Sequence, residues 1–222
     1  MHGNSSPVQS KQTHCHRQLG RLVLKHLNHP DQRPVAEHTR RAFDEARHAV
    51  EAAARPLIFD SFCGTGMSTG LLAERYPDHM VLGIDKSAAR LGRHESAAVD
   101  NYRLVRADCD DFWKLAVAAG WRLDHHFLLY PNPWPKPGQL KRRIHGSPVF
   151  PSLLSLGGGV ELRSNWQVYV EEFGSALAIA GYSPEVSLVE SETMLTLHEG
   201  KYQRSGHPLW RCRCHLRDNS RP

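Results

Sequence analysis

The chain has 222 residues, 40% of them apolar and 23% charged, which suits one soluble globular domain with a sizeable core. Its formal net charge of +5 permits a nucleic-acid partner without requiring one. No run approaches the roughly 20 apolar residues of a membrane-spanning helix, and the polar first twenty residues carry no apolar signal core.

Residues 1–33 read as a flexible arm. His14-Cys15-His16 within it lacks the second ligand pair that a zinc site needs. Residues 34–222 read as a single domain. The five cysteines (Cys15, Cys63, Cys109, Cys212 and Cys214) form no disulfide framework, so reduced thiols in a cytoplasm are expected. A helix is expected over Val35–Ala54, where apolar residues recur every three or four positions, and Pro56 stops it.

Strand and helix then alternate. Strands are expected at Leu57–Phe59, Met80–Ile84, Tyr102–Val105 and Leu123–Tyr130, and helices at Met67–Tyr76, Ser87–Val99 and Asp111–Ala119. Beyond them come a helix at Val149–Leu156, a strand at Gly159–Arg163 and a long helix at Trp166–Ala180. Two β segments follow, near Pro184–Val189 and Leu209–Leu216. Such alternation predicts a doubly wound α/β fold with a mainly parallel sheet.

Two loops carry chemistry. Asp60-Ser-Phe-Cys-Gly-Thr-Gly66 follows the first strand, and Gly64 and Gly66 would let the backbone approach a ligand at a helix start. Asp85 ends the second strand, where a carboxylate meets ribose hydroxyls, and Asp108 follows the third, where an acceptor could meet an adenine amine. The three positions together point to a nucleoside-containing cofactor. The second loop, Tyr130-Pro-Asn-Pro-Trp-Pro-Lys136, is stiffened by Pro131, Pro133 and Pro135 and precedes Lys141-Arg-Arg143.

The aspartate opening the glycine loop, and the acidic residue after each of the next two strands, resemble the class I S-adenosylmethionine-dependent methyltransferases. Thr69 stands at the third glycine position of the pyrophosphate-binding pattern, and Phe62 where that family often has glycine. The resemblance implies a Rossmann-like sheet, mainly parallel with a late antiparallel strand, and S-adenosylmethionine as cofactor.

Pro131–Lys136 with the basic cluster after it is similar to the signature of the tRNA (guanine-N7)-methyltransferases. So are Asn165-Trp166 with Tyr169 and Glu172, and Thr196-Leu-His-Glu199 with the closing Gly206–Arg211 segment. The similarity spans roughly residues 35–216. It implies methyl transfer to N7 of a guanine in tRNA or other structured RNA. Asp60, Gly64, Gly66, Asp85 and Asp108 would hold the cofactor, with Asn132 between cofactor and base as the catalytic position. Lys136, Asn165, Thr196 and Glu199 would line the guanosine site, and Lys141, Arg142 and Arg143 would meet RNA phosphates. Trp134 either stacks on a base or fills the core. A cytoplasmic monomer or homodimer is expected, with no metal.

The family has aspartate where this chain has Asn132 and Asn165. An amide keeps the acceptor, adds a donor and removes the negative charge. Two further readings follow: a methyltransferase acting on another base or exocyclic amine, and a cofactor- and RNA-binding paralogue with little turnover. Cys212 and Cys214 share one face of a strand, which favours core packing. Cys63 suits the cofactor loop only as a small side chain.

Overall fold

Strands β1 (Leu57–Ser61) and β2 (Met80–Asp85) are buried at every position, as a parallel sheet covered on both faces demands. The computed structural model describes residues 5–29, 31–190 and 194–217. With β3 (Tyr102–Arg106), β4 (Leu123–Leu129), β5 (Gly158–Ser164), β6 (Glu185–Leu188) and β7 (Trp210–Leu216) they form one sheet in the order 3-2-1-4-5-7-6. β7 alone runs antiparallel to its neighbours β5 and β6, so the expected late antiparallel strand is present. The strand order reverses between β1 and β4, and the crevice above that reversal is where open α/β sheets bind ligands.

Helices α2 (Glu37–Ala53), α3 (Met67–Arg75), α5 (Cys109–Ala118), α6 (Phe150–Leu156) and α7 (Gln167–Ile179) lie close to their expected positions. Two apolar clusters result. The larger gathers Phe59, Phe112, Trp113, Phe150 and Phe173, and the smaller Ile58, Leu72, Val81 and Phe127. Cys212 and Cys214 turn into the larger one.

Three local expectations are corrected. The helix expected over Ser87–Val99 shrinks to α4 (Ala88–Leu91), because His94 leaves the helical path to bond the Thr65 carbonyl (3.0 Å) and the Tyr102 hydroxyl (2.8 Å). Residues 197–204, read only as a binding segment, form helix α8 (Leu197–Arg204). The arm is not loose. Helix α1 (Leu19–Asn28) buries Leu19 and Val23 against the body and packs on α7. Upstream of it, the Ser10 hydroxyl donates to the Pro135 carbonyl (2.5 Å), and the His16 N–H donates to Glu172 (2.8 Å).

Candidate active site

A cavity of about 520 Å³ opens at the carboxyl ends of β1 to β4. That size suits a small-molecule cofactor with part of a substrate. Its first wall is the glycine loop. Gly66 sits at φ +79°, and a Cβ there would lie 2.7 Å from Leu104 and 2.9 Å from His94, so only glycine fits. Thr69, at the third glycine position, works because its hydroxyl approaches the bare Gly83 of β2, where any Cβ would meet it at 2.3 Å. Phe62 keeps the left-handed backbone that glycine would adopt (φ 64°), and its ring packs edge-on to Trp113 at 5.8 Å.

The carboxylates stand around this loop in different states. Asp85 is 2% exposed; it accepts the Gly64 N–H (3.0 Å) and the Ser87 N–H (2.8 Å) and pairs with Arg90 at 3.1 Å. Asp108 caps α5 by accepting the Asp110 N–H and faces the cavity with Asp110. Asp60 is fully buried behind the loop, where Ser68 and Thr69 both donate to Oδ2 (2.6 and 2.7 Å). Burial raises its carboxyl to about 6 against those two hydrogen bonds, with Asp85 adding to the rise. Its Oδ1 is buried with no hydrogen-bond partner in the protein.

The second wall is the proline loop, from which Tyr130, Pro131, Asn132 and Trp134 line the cavity. Tyr130 and Trp134 hold φ at 54° and 48°. Bulky residues there cost on the order of 1–3 kcal/mol each and persist where the surroundings over-determine them. Three of the four non-glycine residues with positive φ among the described residues line this one cavity: Phe62, Tyr130 and Trp134. Asn132 is exposed, and its Oδ1 accepts the Trp134 N–H at 3.2 Å, which leaves the amide NH2 free to donate outward. Trp134 is only partly buried and lies under the Arg142 guanidinium (4.8 Å), so it caps the cavity rather than filling the core. Thr196 reaches the cavity as the N-cap of α8.

Several expected site residues point elsewhere. Arg143, assigned to RNA phosphates, is fully buried and ion-paired with Glu172. It donates to the Trp134 carbonyl (3.2 and 3.1 Å) and to Gln12 Oε1 (3.0 Å), and it lies 5.0 Å from the Trp166 ring. Its cation therefore ties the proline loop to α7 and the arm. Burial alone would raise the Glu172 carboxyl. The His145 hydrogen bond, the His16 N–H and the Arg143 charge overcome that and hold it down to about 2. Glu199, assigned to the guanosine site, is also fully buried, bound to Arg163 (2.7 Å) and accepting the Leu195 N–H (2.8 Å). Asn165 faces His207 (3.2 Å), and Lys136 is exposed at the outer end of its loop; neither lines the cavity. Lys141 and Arg142 remain exposed.

The cavity also holds residues that sequence reasoning missed: Lys86, Arg90, Asp110, Leu197 and His198. Asp110 was discoverable as the second acid after the third strand. Burial and the Asp108 charge raise it to about 6, against the pull of Arg33. Leu197 and His198 stand between the two motif residues Thr196 and Glu199, with no chemical pattern of their own.

A 3-2-1-4-5-7-6 sheet with a glycine loop after its first strand and carboxylates after the second and third defines a class I S-adenosylmethionine-dependent methyltransferase. The solved structures agree on the fold. A 16S rRNA (adenine(1408)-N(1))-methyltransferase from Catenulisporales acidiphilia, solved with cosubstrate SAM, superposes with a TM-score of 0.55 at 18% identity, covering 81% of this chain and 93% of that one. The 16S rRNA methyltransferase KamB superposes with a TM-score of 0.58 at 15% identity, covering 78% and 93%. The family model described as "Putative methyltransferase" matches residues 54–212, and the chain belongs to that family. Among similar sequences, the tRNA (guanine-N(7)-)-methyltransferase of Neisseria gonorrhoeae (strain NCCP11945) is 27% identical over 171 residues, 70% of each chain. That of Leifsonia xyli subsp. xyli (strain CTCB07) is 29% identical over 161 residues, 66% of this chain and 70% of that one. The cofactor is S-adenosylmethionine, and the residues present fit it: the cradle lining is acidic at Asp85, Asp108 and Asp110, which suits a cationic ligand.

Proposed function

We propose that this protein methylates N7 of a guanine in tRNA. The observation that carries the proposal is that the glycine loop and the proline loop line one cavity, each held in a strained left-handed backbone. The relatives named for this activity and the match of the proline, Asn165-Trp166 and Thr196–Glu199 segments support the choice of substrate. S-adenosylmethionine supplies a sulfonium methyl, whose C–S electron pair stays on sulfur while the positive charge passes to the purine.

Guanine N7 keeps a free lone pair at neutral pH, so the chain needs no general base. Its residues have only to align nucleophile and methyl, an effect worth up to about 7–11 kcal/mol in favourable systems. The rigid Tyr130–Trp134 backbone suits that task. Asp108 and Asp110 lower the cost of a developing cation beside them. Lys141 and Arg142, exposed next to the cavity mouth, are placed for RNA phosphates, and Lys136 extends that surface. Arg143 and Glu199 act on this site only through the elements they hold. No helix is long and apolar enough to cross a membrane among the described residues, and a cytoplasmic location suits a tRNA substrate.

Asn132 favours a second reading, methylation of a different base. The carboxylate of the family would present an acceptor to the guanine N1–H and N2 amine, whereas this amide presents a donor. The engaged Oδ1 counts against transfer to an exocyclic amine, which would need that oxygen as acceptor. Mass spectrometry of modified nucleosides, in RNA from cells with and without the protein, names the product. With purified protein and bulk tRNA, transfer is expected to be weak and Asn132→Asp to raise it about tenfold, the effect of one charge-assisted hydrogen bond. A fast wild-type rate with no gain in the variant rejects that role for Asn132. S-adenosylmethionine binding without transfer to any RNA would leave a binding paralogue.

A further inference from the structure

One set of rings beside the cavity has no part in the cofactor cradle. His198, in the first turn of α8, stacks on Tyr202 one turn later, with centroids 6.0 Å apart and planes at 28°. Tyr202 stacks in turn on His207 (5.6 Å, 16°). The far end is anchored, since His207 bonds Asn165 Nδ2 at 3.2 Å and the Ser5 carbonyl at 3.1 Å. Tyr130 of the proline loop packs against Tyr202 at 5.6 Å, so the ladder is tied to the strained loop as well. Of the three stacked rings, His198 is the one that lines the cavity. The ladder ends at the cavity wall, where His198 is exposed. Leu197, an apolar side chain 59% exposed, lines the same wall. The exposed ring and the exposed Leu continue the aromatic wall that Tyr130 and Trp134 present, opposite the charged side of Asp85, Asp108, Lys86 and Arg90.

We propose that the exposed ring of His198 is the stacking platform for the target nucleobase, a purine that becomes cationic on methylation. This deepens the reading of the cavity as an RNA-base methylation site and rests on it. A base laid on His198 extends an existing ladder, so the ring is ordered before the base arrives and little entropy is lost on binding. The charge state of the ring matters. Lys201 on the same helix and Arg90 across the cavity face His198, and Asp85 offsets Arg90 by pairing with it. Partial burial of the ring first, then those two cations, lower the imidazole below its ordinary value, so the neutral form dominates at pH 7. A neutral ring offers its π face to the purinium product, while an imidazolium would repel it. The platform accordingly works above the pKa of His198 and fails as the pH falls through it.

His198 is exposed, so variants there leave the fold intact, and three of them test the proposal. His198→Ala should lower kcat/KM for RNA roughly 5- to 150-fold, the value of one stacked base, with the S-adenosylmethionine Kd unchanged by calorimetry. His198→Phe should retain activity and lose the acid limb of the pH profile attributable to this ring. His198→Lys should be as poor as His198→Ala or worse. A His198→Ala protein within twofold of wild type overturns the platform. A readout independent of turnover separates this from failure of the functional reading. Addition of 7-methylguanosine with S-adenosylhomocysteine should shift the His198 ring protons upfield in the NMR spectrum. That shift, in a wild-type protein that methylates no RNA, would keep the platform and reject the enzymatic assignment. Absence of the shift with active wild type would reject the platform alone.

Discussion

The two halves of the cavity rim are built on opposite principles. Behind β1 to β3, the motif residues themselves face the cavity: Gly64, Asp85 and Asp108 line it, and Asp60 stands directly behind. Behind β4, β5 and α8, three charged motif residues, Arg143, Glu172 and Glu199, turn inward, and Arg142 reaches the cavity. Arg143 with Glu172, and Arg163 with Glu161 and Glu199, are buried ion pairs. Besides Arg142, what that half presents is mainly aromatic, amide and hydroxyl: Tyr130, Asn132, Trp134, Thr196 and His198. Under the proposed function, the first half meets a cationic cofactor by charge and the second a flat base by shape and stacking. The buried pairs fix the shape.

Breaking the inward pair tests this division most severely. Replacing Arg143 by Met leaves Glu172 buried without its guanidinium, and loss of one partner of a buried pair costs about 3–5 kcal/mol. Thermal unfolding should show that loss, and methyl transfer should disappear with the Trp134 loop position. Arg142→Met, one residue away and exposed, should leave the melting temperature unchanged. It should weaken RNA binding and reduce its salt slope by about one counterion. Equal melting temperatures for the two variants would return Arg143 to the RNA surface.

The cradle half breaks differently. Gly66→Ala forces a Cβ to 2.7 Å from Leu104 in a left-handed backbone, at a cost of about 1–2 kcal/mol for the backbone alone. Its larger effect should be on cofactor affinity, measured by calorimetry, because the loop must move to relieve the clash. A variant that melts early yet binds S-adenosylmethionine normally would show that the loop geometry serves stability rather than the cofactor.

The same division explains what could be read from the residues alone. The late antiparallel strand followed from the family resemblance, and the alternation of strand and helix was legible because hydrophobic period is a local property. Arg143 was not. Lys141, Arg142 and Arg143 are consecutive cations, and nothing in their spacing says that the third faces inward; that depends on Glu172, 29 residues later in the chain. Glu199 carried a signal that was passed over. Thr196-x-x-Glu199 is also a helix-start pattern, and Thr196 does cap α8 by accepting the Glu199 N–H at 3.0 Å. The arm escaped because its polar composition hides two buried residues, Leu19 and Val23, on one face of a short helix.

The smallest effect concerns protonation of the cradle, and its sign distinguishes the halves. Asp60 is raised to about 6, chiefly by burial, and Asp110 likewise, by burial and the neighbouring Asp108. Both are ionised at pH 8 and take up protons as the pH falls through 6, which removes negative charge from around a cationic cofactor. One obligate carboxylate with that pKa makes S-adenosylmethionine binding about fourfold weaker at pH 5.5 than at pH 8. The stability term has the opposite sense. A carboxyl raised in the folded state favours folding below its unfolded value near 3.8, and that contribution is lost as the pH rises through 6. Acidification from pH 8 to 5.5 should therefore weaken cofactor binding without an equal loss of stability from these two groups. Asp110→Asn should flatten part of the binding curve while leaving the Asp60 part in place. A wild-type affinity constant across this range would mean that the cradle recognises the cofactor by shape too, and the contrast between the two halves would fail.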